Sequence, residues 1–394
     1  MAKGTKGKIL IATFSFPPES DGVAFASYLQ AKSLLNLGFT VEIVTAATDL
    51  IVSKQSEPLV RGVNRYRVYG QSYRGGYQGD AEAYRDFLMR AGKIYDVIIF
   101  HCWNTWVTDL AFDLLPNMKA KKILVSHGMA PRKVRSVRGL VRRLLLGPYY
   151  RKVPQRMSLF DHVVFLSDKD DKDRFVDFHI ARRHGYKRFS IIPNGSSLDS
   201  VPLDPAVHFK DEYGISSEKM VLYVSNYSEV KNQMLAVKVF QRADLGDAEL
   251  VLIGSQKNEY SRIVERYVHR HGLTRRVHIL YGLPRVHVKK AYLEADVFLF
   301  TSKCEVQPLV IIDSVTLGLP FVSFNVGALD RMRGGIVCGG RDQLVESTVR
   351  LVRHQELRKR LSSEASIYEK EFHNWDVISR KYESLITRLL SDEL

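Results

Sequence analysis

Residues 8–46 read "KILIATFSFPPESDGVAFASYLQAKSLLNLGFTVEIVTA", and the pattern of this stretch decides the fold. It opens on a short, almost continuously apolar run. Pro17 and Pro18 end that run, Asp21-Gly22 supplies a turn, and helical spacing continues to Gly38. A second apolar run, "TVEIVTA", comes next. Strands that are apolar throughout signal a sheet covered on both faces. Strand–helix–strand order signals a right-handed βαβ unit. The basic, apolar start could mimic a secretory leader, but the run is short and no small-residue cleavage site comes after it, so a first strand is expected.

The same pattern recurs outward from this stretch. "DVIIFH", "KILVSH", "DHVVFLS" and "SIIPN" continue the series, so the first half reads as a doubly wound α/β domain. The segment "PNGSSLDSVPLDPAVHFKDEYGISSEK" is rich in Pro, Ser, Asp and Gly and suits an interdomain connection. After it come "MVLYVSN", "ELVLIGS", "VHIL", "DVFLFTS", "PFVSF" and "GGIVC", with helical segments between. The expected architecture is therefore two Rossmann-like domains facing a central cleft, residues 1–200 and 201–374, followed by a helix over 375–394. A chain of 394 residues fits two domains. No run approaches the ~18 apolar residues of a membrane helix. The three cysteines, Cys102, Cys304 and Cys338, are scattered and form no metal-spaced cluster. A reduced, cytosolic compartment is expected.

Charge singles out one region. The formal net charge is +15, and no Asp or Glu occurs between Asp113 and Asp161. Arg132, Lys133, Arg135, Arg138, Arg142, Arg143, Arg151 and Lys152 all fall there. Such a block marks a partner rather than a fold. Val137, Leu140, Val141, Leu144 and Leu145 share one face at helical spacing, and Arg135, Arg138 and Arg142 share the opposite one. Tyr149 and Tyr150 come next. This is the pattern of a helix lying on an anionic membrane surface. A surface helix meeting only water is the plain alternative. RNA binding is not expected, because aromatic residues are not interleaved as stacking platforms.

In open parallel sheets ligands bind beyond the C-terminal ends of the strands, so residues just past each apolar run are the candidates. Gly22 opens the first helix, where backbone N–H groups can approach an anion; a simple turn reads equally well. His101 and His127 each end a strand, and Gly128 after His127 favours the latter as a contact for a sugar hydroxyl or phosphate. Lys231, in "SNYSEVKNQ", could hold a diphosphate, although a solvated lysine at a helix start accounts for it alone. "DKDDKD", residues 168–173, contains D-x-D but is expected to cap a helix rather than hold a metal. Glu305 and Asp313 in "SKCEVQPLVIID" bracket an apolar run, and a buried carboxylate requires partners.

Together these pieces resemble the retaining glycosyltransferases of family 4, which have the glycosyltransferase-B fold. The resemblance spans nearly the whole chain. It is most specific over "ILYGLPRVHVKKAYLEADVFLFTSKCEVQPLVIIDSVTLGLPFVSFNVGALDRM", which is similar to the family's E-x7-E region. "IIPNGSSLD" resembles the lead into the second domain, and "HNWDVISRKYESLI" resembles a closing helix that crosses back to the first. The resemblance implies that Glu305 contacts donor-sugar hydroxyls, Asp313 the ribose, Lys231 the diphosphate and Gly22 the phosphates. It places His127 near the transferred sugar and Gly282-Leu283 beside the base. Asn226, Val306, Gln307, Pro308 and Leu309 complete the implied donor site.

The chain also departs from that family. An arginine is usual where Asn226 stands, Val306-Gln307-Pro308 replaces a glycine-rich turn, and Asp313 is one methylene shorter than glutamate. Pro308 has no N–H to donate. The resemblance leads to an expectation of metal-independent, retaining sugar transfer from a nucleotide-diphosphate sugar to a lipid-linked or surface-glycan acceptor, as in lipopolysaccharide or other polysaccharide biosynthesis. No cofactor and no nucleic acid is expected, and the place of action would be the inner face of the plasma membrane. A non-catalytic glycan- or membrane-binding protein on a decayed transferase scaffold stays open beside it.

Overall fold

A computed structural model describes residues 6–47, 62–71, 76–129 and 137–392. The chain forms two compact units, Met1–Asn194 with Trp375–Leu394, and Gly195–Asn374. The segment expected to link the domains thus joins the second unit from Gly195 onward. Bonds from Ser196–Leu198 to Asp313 tie it there.

The first unit contains β1 (Lys8–Ala12), α1 (Gly22–Asn36), β2 (Thr40–Ala46), β3 (Val63–Tyr66), β4 (Val68–Gln71), β5 (Gly76–Gly79), α2 (Ala81–Ile94), β6 (Val97–His101), α3 (Trp106–Asp109), β7 (Lys121–Ser126), α4 (Val137–Met157), β8 (His162–Phe165), α5 (Val176–Arg183) and β9 (Phe189–Ile191). Seven of these strands form a parallel sheet in the order β3-β2-β1-β6-β7-β8-β9. β6 and β8 are buried along their whole length, as their continuous apolar runs require. α1 starts where the Asp21 carboxylate accepts from the Val23 and Ala24 N–H groups. It ends at Gly38, whose φ of +93° only glycine adopts freely, with Phe39 N–H returning to Leu34 O. β4 and β5 form an antiparallel hairpin in the stretch "GQSYRGGYQGD", of which residues 72–75 lie outside the described residues.

The second unit contains α6 (Phe209–Glu212), β10 (Met220–Val224), α7 (Gln233–Ala243), β11 (Glu249–Gly254), α8 (Glu259–Arg270), β12 (Val277–Tyr281), α9 (Arg285–Glu294), β13 (Val297–Phe300), α10 (Leu309–Thr316), β14 (Phe321–Phe324), β15 (Gly335–Cys338), α11 (Arg341–Arg353) and α12 (Gln355–Phe372). Its six strands are parallel in the order β12-β11-β10-β13-β14-β15. The last helix, α13 (Trp375–Leu390), returns to the first unit and packs on α1.

Both sheets reverse strand order once. In the first unit β1 pairs with β2 on one side and β6 on the other. In the second, β10 pairs with β11 and β13. Chains leaving two such strands diverge to opposite faces, which opens a crevice at their C-terminal ends. Those ends carry Asp21-Gly22 and His101 in one unit, and Lys231 and Glu305 in the other. Among the described residues, no helix is long and apolar enough to cross a membrane.

Candidate functional site

In the second unit, the loops after β10 and β13 are laced together. Lys303 N–H donates to Val230 O at 2.8 Å, and the Ser302 hydroxyl donates to the same carbonyl at 3.3 Å. The hydroxyl of Tyr223, a buried residue of β10, donates to Lys231 O. This scaffold holds Lys231 Nζ 2.6 Å from Glu305 Oε1. The Glu305 side chain is 10% exposed and Lys231 30%, so the pair is screened less than a surface bridge yet still open to a ligand. The two residues that the sequence singles out separately therefore form one ion pair, at the switch point of the sheet.

The turn after Glu305 is shaped from outside. Val306 O accepts from Ala328 N–H, and a Cβ on Gly327 would lie 2.5 Å from that same carbonyl. Only glycine fits under the turn. Pro308 is buried and precedes the first residue of α10, Leu309, which is itself buried. A proline there sacrifices no helix bond, since the first N–H groups of a helix have no partner within it. Asn226, at the C-terminal end of β10, is exposed, and its carbonyl accepts from Gln233 Nε2 at 3.1 Å. Gly282 N–H donates to Gly254 O, which sets the loop after β12 against the one after β11, and Leu283 beyond it is half-buried. The rings of Tyr227 and Tyr281 lie beside it, 5.2 Å apart, and Tyr281 donates to Glu265, which also pairs with Lys257. The sequence reading missed this aromatic and ionic wall, because its members come from four separate elements, two loops, a helix and a strand.

Asp313, expected to meet the ribose, is held in a network of its own. It is 3% exposed, and four donors from one remote segment reach its carboxylate. Ser196 Oγ, Ser197 N–H and Leu198 N–H donate to Oδ1 at 2.8, 2.5 and 3.1 Å, and Ser197 Oγ donates to Oδ2 at 2.6 Å. Three donors crowd Oδ1 and one takes Oδ2, so the carboxylate is committed chiefly to this segment. Burial pushes the carboxyl above its usual range, against the pull of Ser197 and Arg285. Arg285 in turn donates to Ser197 O and Ser197 Oγ. No sequence signal joins Asp313 to serines 116 or 117 residues away.

The first unit holds a second cluster. Asp21 caps α1 with Oδ1 and accepts from Ser15 Oγ through Oδ2. The N–H groups beside Gly22 that were expected to meet a phosphate thus already face a carboxylate. His101, 1% exposed, donates through Nε2 to Gln30 Oε1 at 2.8 Å, and its Nδ1 lies 2.9 Å from His127 Nε2. The two rings stack at 5.1 Å. Burial, then His127, pushes His101 well below the usual histidine range. Burial lowers His127 to about 4, with Asp21 acting in the opposite direction. Ser126, just before His127, donates to the buried Asp177 carboxylate on α5. Gln30 carries no sequence signal, as it reads as one polar residue within a helix.

The basic block is described in part. Arg132, Lys133 and Arg135 lie outside the described residues, while Arg138, Arg142 and Arg143 fall on α4. Arg151 and Lys152 are exposed. Val141, Leu144 and Leu145 are 51%, 71% and 42% exposed, so an apolar stripe on α4 faces outward. Tyr149 and Tyr150 differ from expectation, for both are buried. Tyr149 donates to Asp109 and accepts from Asn104 N–H, which ties α4 to the loop after β6. In the acidic run, Asp171 accepts from Asp173 and Arg174 N–H and closes the turn before α5, rather than capping the helix itself. Among the described residues, no group of three or more metal-ligating side chains gathers.

The geometry and topology together define a two-domain glycosyltransferase-B fold. Residues 208–366 match the family model described as glycosyl transferases group 1. That stretch contains Lys231, Gly282, Glu305 and Asp313. Solved structures agree along the whole chain. Sucrose-phosphate synthase from Thermosynechococcus elongatus superposes with a TM-score of 0.76 at 17% identity, over 98% of this chain and 99% of that one. HepE of Anabaena, in complex with UDP and glucose, gives 0.71 at 14% identity, over 97% and 99%. WaaG, a glycosyltransferase involved in lipopolysaccharide biosynthesis, gives 0.67 at 16% identity, over 96% and 99%. No curated protein matches the sequence.

Proposed function

We propose that this chain transfers a sugar from a nucleotide-diphosphate donor to a glycan or lipid-linked acceptor, with retention of anomeric configuration and without a metal. The observation that carries the proposal is the Lys231–Glu305 pair at the switch point, inside the stretch matched by the family model. As the bond from the anomeric carbon to the diphosphate breaks, charge builds on the leaving oxygen. Lys231 is placed to neutralise it. Glu305, released from Lys231 by that phosphate, accepts hydrogen bonds from the sugar hydroxyls and orients the ring. The acceptor oxygen bonds to the anomeric carbon on the face the diphosphate leaves, and its proton passes to a departing phosphate oxygen. His127 would contact the transferred sugar.

The test is a panel of UDP-, ADP- and GDP-sugars with and without EDTA, with the product anomer determined. Turnover of one donor, retained configuration and indifference to EDTA are expected. Failure to bind any donor would favour the decayed-scaffold reading, to which Asn226 and Pro308 lend support.

An acceptor on a membrane is favoured by α4. Its exposed Val141, Leu144 and Leu145 accompany Arg151 and Lys152 in a region without acids. Each basic residue near an anionic surface contributes about 1 kcal/mol. Arg138→Glu with Arg142→Glu is therefore expected to weaken sedimentation with phosphatidylglycerol vesicles by about 100-fold or more, while Leu144→Ser weakens it without altering salt dependence. Equal binding of wild type to phosphatidylglycerol and phosphatidylcholine vesicles would sink the electrostatic part.

A further inference from the structure

We infer that Gln30 and His101 are positioning residues that hold His127 in a single tautomer, with Nε2 protonated and Nδ1 left as a hydrogen-bond acceptor for a substrate hydroxyl. The functional half of this inference rests on the reading of His127 as a contact of the transferred sugar. The tautomer itself follows from the Gln30 carbonyl facing His101.

The chain of bonds starts in the core and runs outward. Gln30 is 2% exposed and presents its carbonyl oxygen, a pure acceptor, to His101 Nε2 at 2.8 Å. His101 Nε2 must therefore carry a proton. His101 is fully buried and has no carboxylate in hydrogen-bond contact, so its ring stays neutral. A neutral imidazole with Nε2–H has a bare Nδ1. The contact of 2.9 Å to His127 Nε2 then needs its proton from His127. His127 is also neutral, so its Nδ1 is bare as well. That nitrogen has no hydrogen bond within the described residues, and it is not among the buried polar atoms lacking one. It reaches the surface as an acceptor.

The far end of the chain of bonds is fixed too. Tyr382 on α13, 4% exposed, presents its hydroxyl to the Gln30 side chain, which offsets part of the upward push that burial gives the phenol. A phenol oxygen can accept from the amide NH2 of Gln30, the arrangement that leaves the Gln30 carbonyl for His101. The return of the C-terminal helix to the first unit thus determines which way an amide points, and through it which nitrogen of His127 meets a ligand.

The test is long-range proton–nitrogen NMR of the full chain labelled with nitrogen-15 in histidine, which distinguishes the two tautomers of each ring. Wild type should show Nε2–H for both His101 and His127. In Gln30→Met the buried Nε2–H of His101 loses its acceptor, and an orphaned donor is costly. His101 should move its proton to Nδ1 and donate to His127, so that the tautomer ratio at His127 shifts by about tenfold or more toward Nδ1–H. Tyr382→Phe, a milder change, should shift it in the same direction by less.

A wild-type spectrum with His127 already Nδ1–H overturns the proposal, as does Gln30→Met with His127 unchanged. With a donor identified, Gln30→Met should lower kcat about 10–100-fold with the donor KM nearly constant. A reversed tautomer with unaltered kcat overturns the positioning role. If no variant and no wild type turns over any donor, the transferase reading fails, and the spectra still decide the tautomer.

Discussion

Lys231→Ala is expected to lower kcat/KM for the donor by about 10²–10³-fold, the usual loss when one stabiliser of a developing anion is removed. Asn226, exposed just beyond β10, is neutral and brings no second positive charge to this loop. Glu305, 2.6 Å from Lys231, would then present its negative charge to an unshielded diphosphate. Two penalties therefore combine in this variant, a lost attraction and an uncovered repulsion. Glu305→Gln separates them. It removes the repulsion and retains an oxygen for the sugar, so the double variant should be less impaired than the product of the two single losses. Such non-additivity is the mark of groups in contact. Steady-state kinetics on the four proteins, with circular dichroism confirming that each is folded, checks this. A loss under about fivefold in Lys231→Ala would remove the lysine from the chemistry.

Much of this is legible in the sequence for one physical reason. A strand covered on both faces must be apolar throughout, so "DVIIFH" and "MVLYVSN" announce themselves, and the residues just past each run fall on the ligand side of the sheet. Lys231 and Glu305 lie just beyond β10 and β13, and the expectation places both where they stand. What stays hidden depends on partners far along the chain. Gln30 meets His101 across 71 residues, and Asp313 meets Ser196 across 117. Spacing can place an acid on a helix, but it cannot tell which segment will supply its donors. The error at Tyr149 has a related origin. Two tyrosines after a basic run read as part of a membrane-surface pattern, yet Asp109 and Asn104 draw Tyr149 inward. At the start of α1 the glycine draws the eye, yet the Asp21 carboxylate beside it occupies the donors that Gly22 was expected to offer.

Asp313→Ala is expected to destabilise the second unit by about 3–5 kcal/mol, the range for breaking a buried, hydrogen-bonded charge. The Ser197 N–H would lose its acceptor, Leu198 N–H the nearer of its two, and Arg285, most of it buried, would lose the nearby counter-charge. An arginine cannot escape by giving up its proton. Asp313→Asn should cost less, since one oxygen remains, but its NH2 would face donors in place of an acceptor. Trp103, Trp106 and Trp375 all belong to the first unit. Tryptophan fluorescence in urea therefore reports on that unit, while far-ultraviolet dichroism reports on both. In Asp313→Ala the dichroism should gain an early transition that fluorescence does not share. The Ser197 amide should also exchange with deuterium far faster than in wild type, because its bond runs to this carboxylate, and more so than Leu198, whose N–H also reaches Ser196 Oγ. The opposite result is as informative. A variant with unchanged stability and protection, but a donor KM raised about tenfold or more, would return Asp313 to the ribose and make the serine contacts dispensable.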